Sequence, residues 1–182
     1  MPTENIRPNS TTSQTGWNTS NIHTVIGDND TGTKATQTST TCNFTGTLED
    51  LSIDASSTIN SLTAVFIGVA GRTGNNTLTL SFVHPTDGTF GGSTKTVTSD
   101  GIYSHTAVTT QQDGSSALTV AYVNDLSILV VPGTSGIDAK EVLVTVDYTL
   151  PVATTPTTYD ATTNNIHITS GNINVTSGNI FI

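Results

Sequence analysis

Residues 140–150 alternate between apolar and polar side chains with a period of two. The apolar residues of one face are Val142, Val144, Val146, Tyr148 and Leu150. The residues of the opposite face are polar except Leu143. The pattern is typical of a half-buried β-strand. Residues 126–131, LSILVV, are apolar on both faces and are expected in the middle of a sheet, with Pro132 and Gly133 turning the chain between the two segments. The two segments predict the closing strands of a β-sandwich.

Further strand patterns precede this pair. Residues 77–83, TLTLSFV, place apolar side chains on one face and hydroxyl side chains on the other, and residues 41–48 alternate in the same way. Residues 62–70 are apolar on both faces and predict another central strand. The short segment 22–26, IHTVI, is also expected to form a strand.

Three Asp-Gly dipeptides recur at nearly even intervals, and they are Asp87-Gly88, Asp100-Gly101 and Asp113-Gly114. Asp-Gly is a preferred turn of β-hairpins, so three hairpins are expected, bounding strands at residues 93–98, 102–109 and 117–123. About nine or ten short strands at this spacing are typical of a sandwich. Helix-forming residues are scarce beside the many Thr, Ser and Asn. The sequence therefore predicts an all-β fold, a jelly-roll-like antiparallel β-sandwich.

Composition divides the chain into four segments. Residues 1–21 are polar, contain two prolines and lack periodicity, so they predict an extended N-terminal arm. Residues 22–150 are expected to form the sandwich. Residues 151–163 are rich in Pro and Thr and predict an extended linker, and residues 164–182 form a tail of short-strand repeats.

Trp17 is the one large apolar side chain of the predicted arm. Such a residue either docks on its own sandwich or anchors the arm to a neighbouring subunit. Docking on its own domain is favoured, and the second arrangement would make Trp17 an assembly residue.

The tail contains a seven-residue repeat. Residues 165–171 read NIHITSG, residues 172–178 read NINVTSG, and the chain closes with NIFI. Each unit is a very short strand followed by a turn and is too small to form its own core. Its partners are either copies of itself in other subunits, forming a thin stalk, or the edge of the sandwich, and a disordered tail is the remaining alternative. The stalk is favoured because the terminal apolar residues would otherwise be exposed. The predicted assembly residues are Trp17, Ile166, Ile168, Ile173, Val175, Ile180, Phe181 and Ile182.

The net charge of −9 argues against a nucleic-acid partner. Only five Lys and Arg residues occur, and they are too scattered to suggest a phosphate-binding surface. No apolar segment is long enough to cross a bilayer, and no basic-then-apolar leader follows Met1. We therefore expect no membrane partner and a soluble protein made in a cytoplasm.

Residues capable of chemistry occur without the patterns that catalysis requires. The four histidines form no HxH or HExxH motif, and there is no nucleophile elbow or phosphate-binding loop. Cys42 alternates with apolar residues and is expected to be a small buried side chain. Asp28, Asp30 and Gly32 match part of a calcium loop, but the pattern lacks the bidentate Glu near Ser39, so an ordinary turn is expected. The sequence predicts no enzyme activity, no cofactor and no metal site.

The RPNSTTSQTGW opening, the EVLVTVDYTLP strand and the ITSGNINVTSGN repeats together resemble virion proteins of tailed bacteriophages. The resemblance covers most of the chain and rests on strand and turn patterns. It implies a non-enzymatic surface component of the virion, either a capsid decoration (cement) protein or a short head fibre. Such proteins are commonly homotrimers, with the major capsid protein or other virion proteins as partners. The alternative implied by the fibre-like repeats is a tail-fibre or baseplate component.

That alternative would use the sandwich loops to bind a host surface glycan. Sugar rings stack on exposed aromatic side chains flanked by Asn and Asp. Tyr103, Tyr122 and Tyr159 are the candidates, although Tyr122 is expected in the core. The small number of aromatic residues favours the structural role.

Overall fold

The computed structural model describes residues 1–70, 76–133 and 136–152, together with the backbone of residues 157–160 and 165–168. The elements within these residues are β1 (Thr3–Ile6), β2 (Ser13–Thr15), α1 (His23–Ile26), β3 (Ala35–Thr36), β4 (Asn43–Thr47), β5 (Thr58–Ala70), β6 (Asn76–His84), β7 (Gly88–Val97), β8 (Gly101–Ser104), α2 (Val120–Asn124), β9 (Ser127–Pro132), β10 (Ile137–Thr149), β11 (Thr157–Asp160) and β12 (Asn165–Ile168).

Two antiparallel sheets form the main unit, which spans Met1–Leu150. Sheet I has the order β1-β10-β5-β8, with β3 also pairing with β10, and sheet II has the order β2-β4-β9-β6-β7. Both predicted closing strands lie centrally, β10 in sheet I and β9 in sheet II. The prediction of an all-β antiparallel sandwich is confirmed.

The core lies between the sheets and follows the period-two pattern of their strands. In β6, Leu78, Leu80 and Phe82 are at most 1% exposed, and in β5 Phe66 is fully buried among the same cluster. Each such side chain contributes about 2 kcal/mol to the free energy of unfolding through removal of apolar surface from water. The sequence alternation thus predicted which face of β6 is buried.

A β-bulge in β10 changes which face of sheet I its side chains occupy. Ala139 pairs with Gly68 and Glu141 pairs with Ile67, so Lys140 is an extra residue between two ladder positions. The bulge reverses the side-chain alternation, because Ala139 belongs to the core cluster whereas Glu141 lies opposite the partly exposed Ile67.

The predicted N-terminal arm is wrong, because residues 1–21 belong to the sandwich. β1 pairs with the end of β10, where Thr3 lies opposite Asp147, and β2 pairs with β4, where Ser13 lies opposite Thr45. Both are short edge strands with a single partner each. Because each strand pairs with a segment far along the chain, local periodicity in the sequence does not predict this pairing.

Two predicted strands are short helices instead. Segment 22–26 forms α1, with Ile22 and Ile26 fully buried one helical turn apart. Segment 117–123 contains the start of α2, where the Thr119 hydroxyl accepts a hydrogen bond from the Tyr122 backbone N–H at 3.1 Å. That contact is an N-cap, which ends the extended chain and begins the helix.

Only one of the three Asp-Gly dipeptides closes a hairpin between neighbouring strands. Asp87-Gly88 joins β6 to β7, and Gly88 has a φ of 87°. Asp100-Gly101 instead leads from β7 in sheet II to β8 in sheet I. Asp113-Gly114 lies in a small loop closed by the bridge between Thr110 and Ala117. Asp-Gly predicted a turn at each site but not which strands the turn would connect.

A second unit, residues 151–182, contains β11 and β12, which pair antiparallel with Tyr159 opposite Ile166. The predicted linker of residues 151–163 therefore includes a strand at Thr157–Asp160.

Candidate assembly surface

Trp17 is packed inside its own domain. The residue is 8% exposed, and its indole Nε1 donates a hydrogen bond to the Asn43 backbone oxygen at 2.9 Å. Its backbone also forms an isolated bridge with Gln37. Of the two arrangements left open by the sequence, docking on the parent sandwich is the one found. The prediction that Trp17 is an intersubunit anchor is therefore corrected, because little of the residue remains accessible to a neighbour.

Two of the predicted tail residues lie on β12. Ile166 is opposite Tyr159 and Ile168 is opposite Thr157, so the described pairing of the first repeat unit is with a strand of the same chain. The other predicted tail residues, Ile173, Val175, Ile180, Phe181 and Ile182, lie outside the described residues. Association of the tail with other subunits stays a prediction.

The outer face of sheet I carries apolar side chains on adjacent strands. Val65, Ile67 and Val69 alternate with the core residues of β5 and are partly exposed, and Ile102 of β8 lies opposite Ile67 and is 69% exposed. Leu143 of β10 lies opposite Val65 and is buried outside the main core cluster. We call these five residues the outer apolar face. A sheet face that meets only water usually carries polar residues, so this face is suited to contact another protein.

Ion pairs lie on β10, the strand that contributes Leu143 to the outer apolar face. Among the described residues, the three pairs that involve Lys or Arg all use β10 between Asp138 and Glu141, and they are Arg7–Glu141 at 2.8 Å, Lys34–Asp138 at 2.6 Å and Lys140–Asp100 at 2.6 Å. Cations that are scattered in the sequence are thus gathered at one end of one sheet. In a chain of net charge −9, this region is locally compensated.

Sheet II also carries an exposed apolar residue on its own outer side. Val131 of β9 is 38% exposed and lies opposite Thr79, whose hydroxyl is 2.6 Å from the Thr94 hydroxyl. Threonine and serine flank this apolar position on neighbouring strands. Val131 therefore provides a comparison for Ile102 on the other sheet.

Two of the three aromatic candidates for glycan binding, Tyr103 and Tyr122, make contacts within the protein. Tyr122 is 8% exposed, and its ring stacks on His84 with centroids 4.1 Å apart. Tyr103 packs against Phe66, and its hydroxyl donates to the Ser99 carbonyl at 2.7 Å. The expectation that Tyr122 lies in the core is confirmed. Of Tyr159, the structure describes only the backbone.

Cys42 is buried, as the sequence predicted. The residue is 4% exposed, and its thiol donates to the Gly16 carbonyl at 3.4 Å. Burial raises the pKa of the Cys42 thiol to about 12, which keeps the thiol protonated near neutral pH.

The segment around Asp28 and Asp30 forms local turns. The Asp30 backbone N–H donates to Asp28 Oδ1 at 2.9 Å, and the Gly32 N–H donates to Asp30 Oδ1 at 2.8 Å. The carboxylates are thus engaged by nearby backbone donors, in the manner of Asx turns. Across the described part of the chain, no group of three or more His, Cys, Asp or Glu is arranged to hold a metal ion.

Comparison with known proteins gives no family: no family model matches the chain, and no curated protein matches it. Among the described residues, neither helix has the length and apolar character required to span a membrane.

Sequence reasoning missed the ion pairs at the β10 bulge and the buried His105. The ion pairs join residues as much as 134 positions apart, so no local pattern contains them. His105 had a weak signal, since it follows the alternating segment IYS at a position that continues the inward face of Tyr103.

Proposed function

We propose that this chain is a non-enzymatic structural protein of a tailed-phage virion, a capsid decoration (cement) protein or short head fibre that binds the particle surface and stabilises it. The outer apolar face carries this proposal. It exposes Ile102 beside apolar residues of β5, on the sheet in which Arg7 and Lys34 pair with carboxylates of β10 and Lys140 of β10 pairs with Asp100.

The proposed partner of this face is a virion surface protein, such as the major capsid protein. A contact that stabilises a particle must bury apolar surface without bringing uncompensated like charges together. The ion pairs at Arg7, Lys34 and Lys140 meet the second condition, because each cation already neutralises a carboxylate beside the face.

The tail supplies the second part of the proposal. Its repeats, continued beyond β12, are proposed to associate with the tails of two other copies in a homotrimer. The carbohydrate-binding alternative, as a tail-fibre or baseplate component, has less support, because the rings of Tyr103 and Tyr122 pack against protein.

Binding of the purified chain to virus particles that lack it tests the proposed face. The variant Ile102→Asp is expected to weaken co-sedimentation with the particles by roughly tenfold or more, because it puts a charge into a desolvated contact. Val131→Asp on the outer side of sheet II is the matched control and is expected to bind normally. Normal binding by Ile102→Asp, or loss of binding only with Val131→Asp, would overturn the assignment of this face.

Light scattering tests the tail. The full chain is expected to have the mass of a trimer, and deletion of residues 165–182 is expected to reduce it to a monomer. A monomer in both cases would overturn the intersubunit role of the tail while leaving the sandwich contact to the first experiment.

A further inference from the structure

His105 connects the two sheets at the side where their edge strands β7 and β8 follow one another. Its backbone N–H donates to the Ala64 carbonyl of β5 in sheet I at 2.9 Å. Its ring Nδ1 lies 2.8 Å from the Ser93 carbonyl of β7 in sheet II, and the residue is 5% exposed. One buried side chain thus joins the sheets by a hydrogen bond.

The Ser93 carbonyl defines the state of the ring. A carbonyl oxygen can only accept, so Nδ1 carries the proton and Nε2 of the neutral ring holds a lone pair. The Ser93 hydroxyl is also 2.9 Å from Nδ1 and accepts from the Thr106 backbone N–H at 3.2 Å. Nδ1 therefore sits in a small network that fixes the tautomer and the orientation of the ring.

Nε2 of His105 is buried and has no hydrogen-bond partner among the described residues. Protonation would create an N–H and a positive charge at this atom, with no described acceptor to receive them. A buried charge without a partner is strongly unfavourable, so the protonated ring is stabilised by leaving the site for water.

The charged surroundings add to this effect. Lys95 of β7 is the charged group that acts on the ring, and it opposes a second positive charge. β5 contains no ionisable residue, and the ionisable residue of β8 is Tyr103, whose hydroxyl is bound at Ser99. Burial is the largest cause that lowers the pKa of His105, and Lys95 lowers it further, against the raising effect of the Ser93 carbonyl.

We propose that His105 is an acid-sensitive clasp between the two sheets, whose protonation frees β7 from the segment after β8 and opens this side of the sandwich. The central pairing of β10 with β5 uses none of these contacts and stays closed. The inference is independent of the virion role.

The direction of the pH effect follows from the pKa shift. The folded state holds His105 with a pKa below its ordinary value of 6.5, so between the two pKa values the unfolded or opened state binds more protons. The stabilisation by the clasp is complete above pH 6.5 and is lost as the pH falls from 6.5 through the folded pKa.

Hydrogen exchange of the full chain, followed by mass spectrometry at about pH 7 and about pH 5, tests the clasp. After correction for the intrinsic pH dependence of exchange, peptides from β7 and β8 are expected to exchange roughly tenfold faster at the lower pH, and peptides from β10 to stay unchanged. His105→Asn retains a donor near the Nδ1 position and does not titrate, so it is expected to abolish the response. The control variant is His23→Asn, which replaces a histidine hydrogen-bonded to the Thr11 hydroxyl. This variant is expected to keep the acid response of β7 and β8.

Equal acid responses in the wild type and His105→Asn, or no response of β7 and β8 in the wild type, would overturn the proposal. If His105→Asn does not fold, an NMR titration of the wild type tests the clasp instead. The His105 ring is expected to titrate below its ordinary pKa, with the Ser93 and Thr106 amide signals changing in step. Titration of the ring without any change at these two amides would contradict the clasp.

Discussion

The guanidinium of Arg7 lies 2.8 Å from Glu141 Oε1, although 134 residues separate the two positions. The carboxylate is on the β10 bulge and Glu141 is 4% exposed, while Arg7 also donates to Asn29 Oδ1 at 2.6 Å. Arg7 thus joins the end of β1 to the loop after α1 and to β10 of sheet I. It is one of the polar contacts that hold residues 1–21 in the sandwich, beside the pairing of β1 with β10 and of β2 with β4.

Removal of one partner of this pair leaves a buried charge. Arg7→Met is expected to lower the free energy of unfolding by about 2 kcal/mol, measured by urea denaturation. The double variant Arg7→Met/Glu141→Leu is expected to be more stable than Arg7→Met, because neither charge then remains buried. Lys140→Met is the control, since its partner Asp100 has a side chain 59% exposed, and it should change the free energy by less than about 1 kcal/mol. A double variant less stable than Arg7→Met would contradict this account of the pair.

The three Asp-Gly turns should respond differently to alanine. Gly88 and Gly114 have φ angles of 87° and 73°, values that residues with a side chain rarely adopt. Gly101 does not have a positive φ angle. Gly88→Ala and Gly114→Ala are each expected to lower the free energy of unfolding by about 1 kcal/mol, and Gly101→Ala to have little effect. Thermal denaturation of the three variants checks the order. Equal losses at all three would show that backbone strain is not the cause.

Cys42 should be inert in the folded protein. With its pKa raised to about 12 and 4% of the residue exposed, native Cys42 is expected to resist alkylation by iodoacetamide near pH 8 and to react once urea unfolds the chain. The mass of the protein after timed labelling measures this. Labelling of the native chain as fast as that of the unfolded chain would contradict the burial of Cys42.

Trp17 should contribute to stability. Trp17→Phe removes the hydrogen bond to the Asn43 carbonyl and is expected to cost about 1 kcal/mol, whereas Trp17→Ala also leaves a cavity and is expected to cost about 3 kcal/mol. Urea denaturation followed by circular dichroism gives both values. A Trp17→Ala variant of unchanged stability that no longer bound particles would instead identify Trp17 as an intersubunit residue.

The sequence predicted the central strands because their burial follows local alternation. β6 and β10 are recognisable for this reason. β9 is recognisable for a different reason, because after Ser127 it is apolar on both faces. The edge strands β1 and β2 were missed because their pairing with β10 and β4 depends on contacts far along the chain. Their side chains gave no period to read.

The helices were missed for a different reason. Ile22 and Ile26 are four positions apart. This spacing places them on the same face of a strand, and it also places them one turn apart on the same face of a helix. At α2 the N-cap residue Thr119 was the available signal, and hydrophobic Val120 and Val123 at i and i+3 support it. Segments of four or five residues fit both periods, so only tertiary packing separates them.

The candidate surface was only partly accessible to sequence reasoning. Apolar residues on both faces of β5 indicated a central strand, and the same residues supply part of the outer apolar face. The clustering of Arg7, Lys34 and Lys140 at β10 required the strand pairing and the bulge, which the sequence does not reveal.

The most direct test of the virion role is quantitative mass spectrometry of tailed-phage particles purified by density gradient from cells that produce this chain. The account predicts that the chain is present in the intact particle in a copy number comparable with that of the major capsid protein. A few copies per particle would favour the tail-fibre or baseplate alternative. Absence of the chain from purified particles, despite its presence in the lysate, would contradict the virion role.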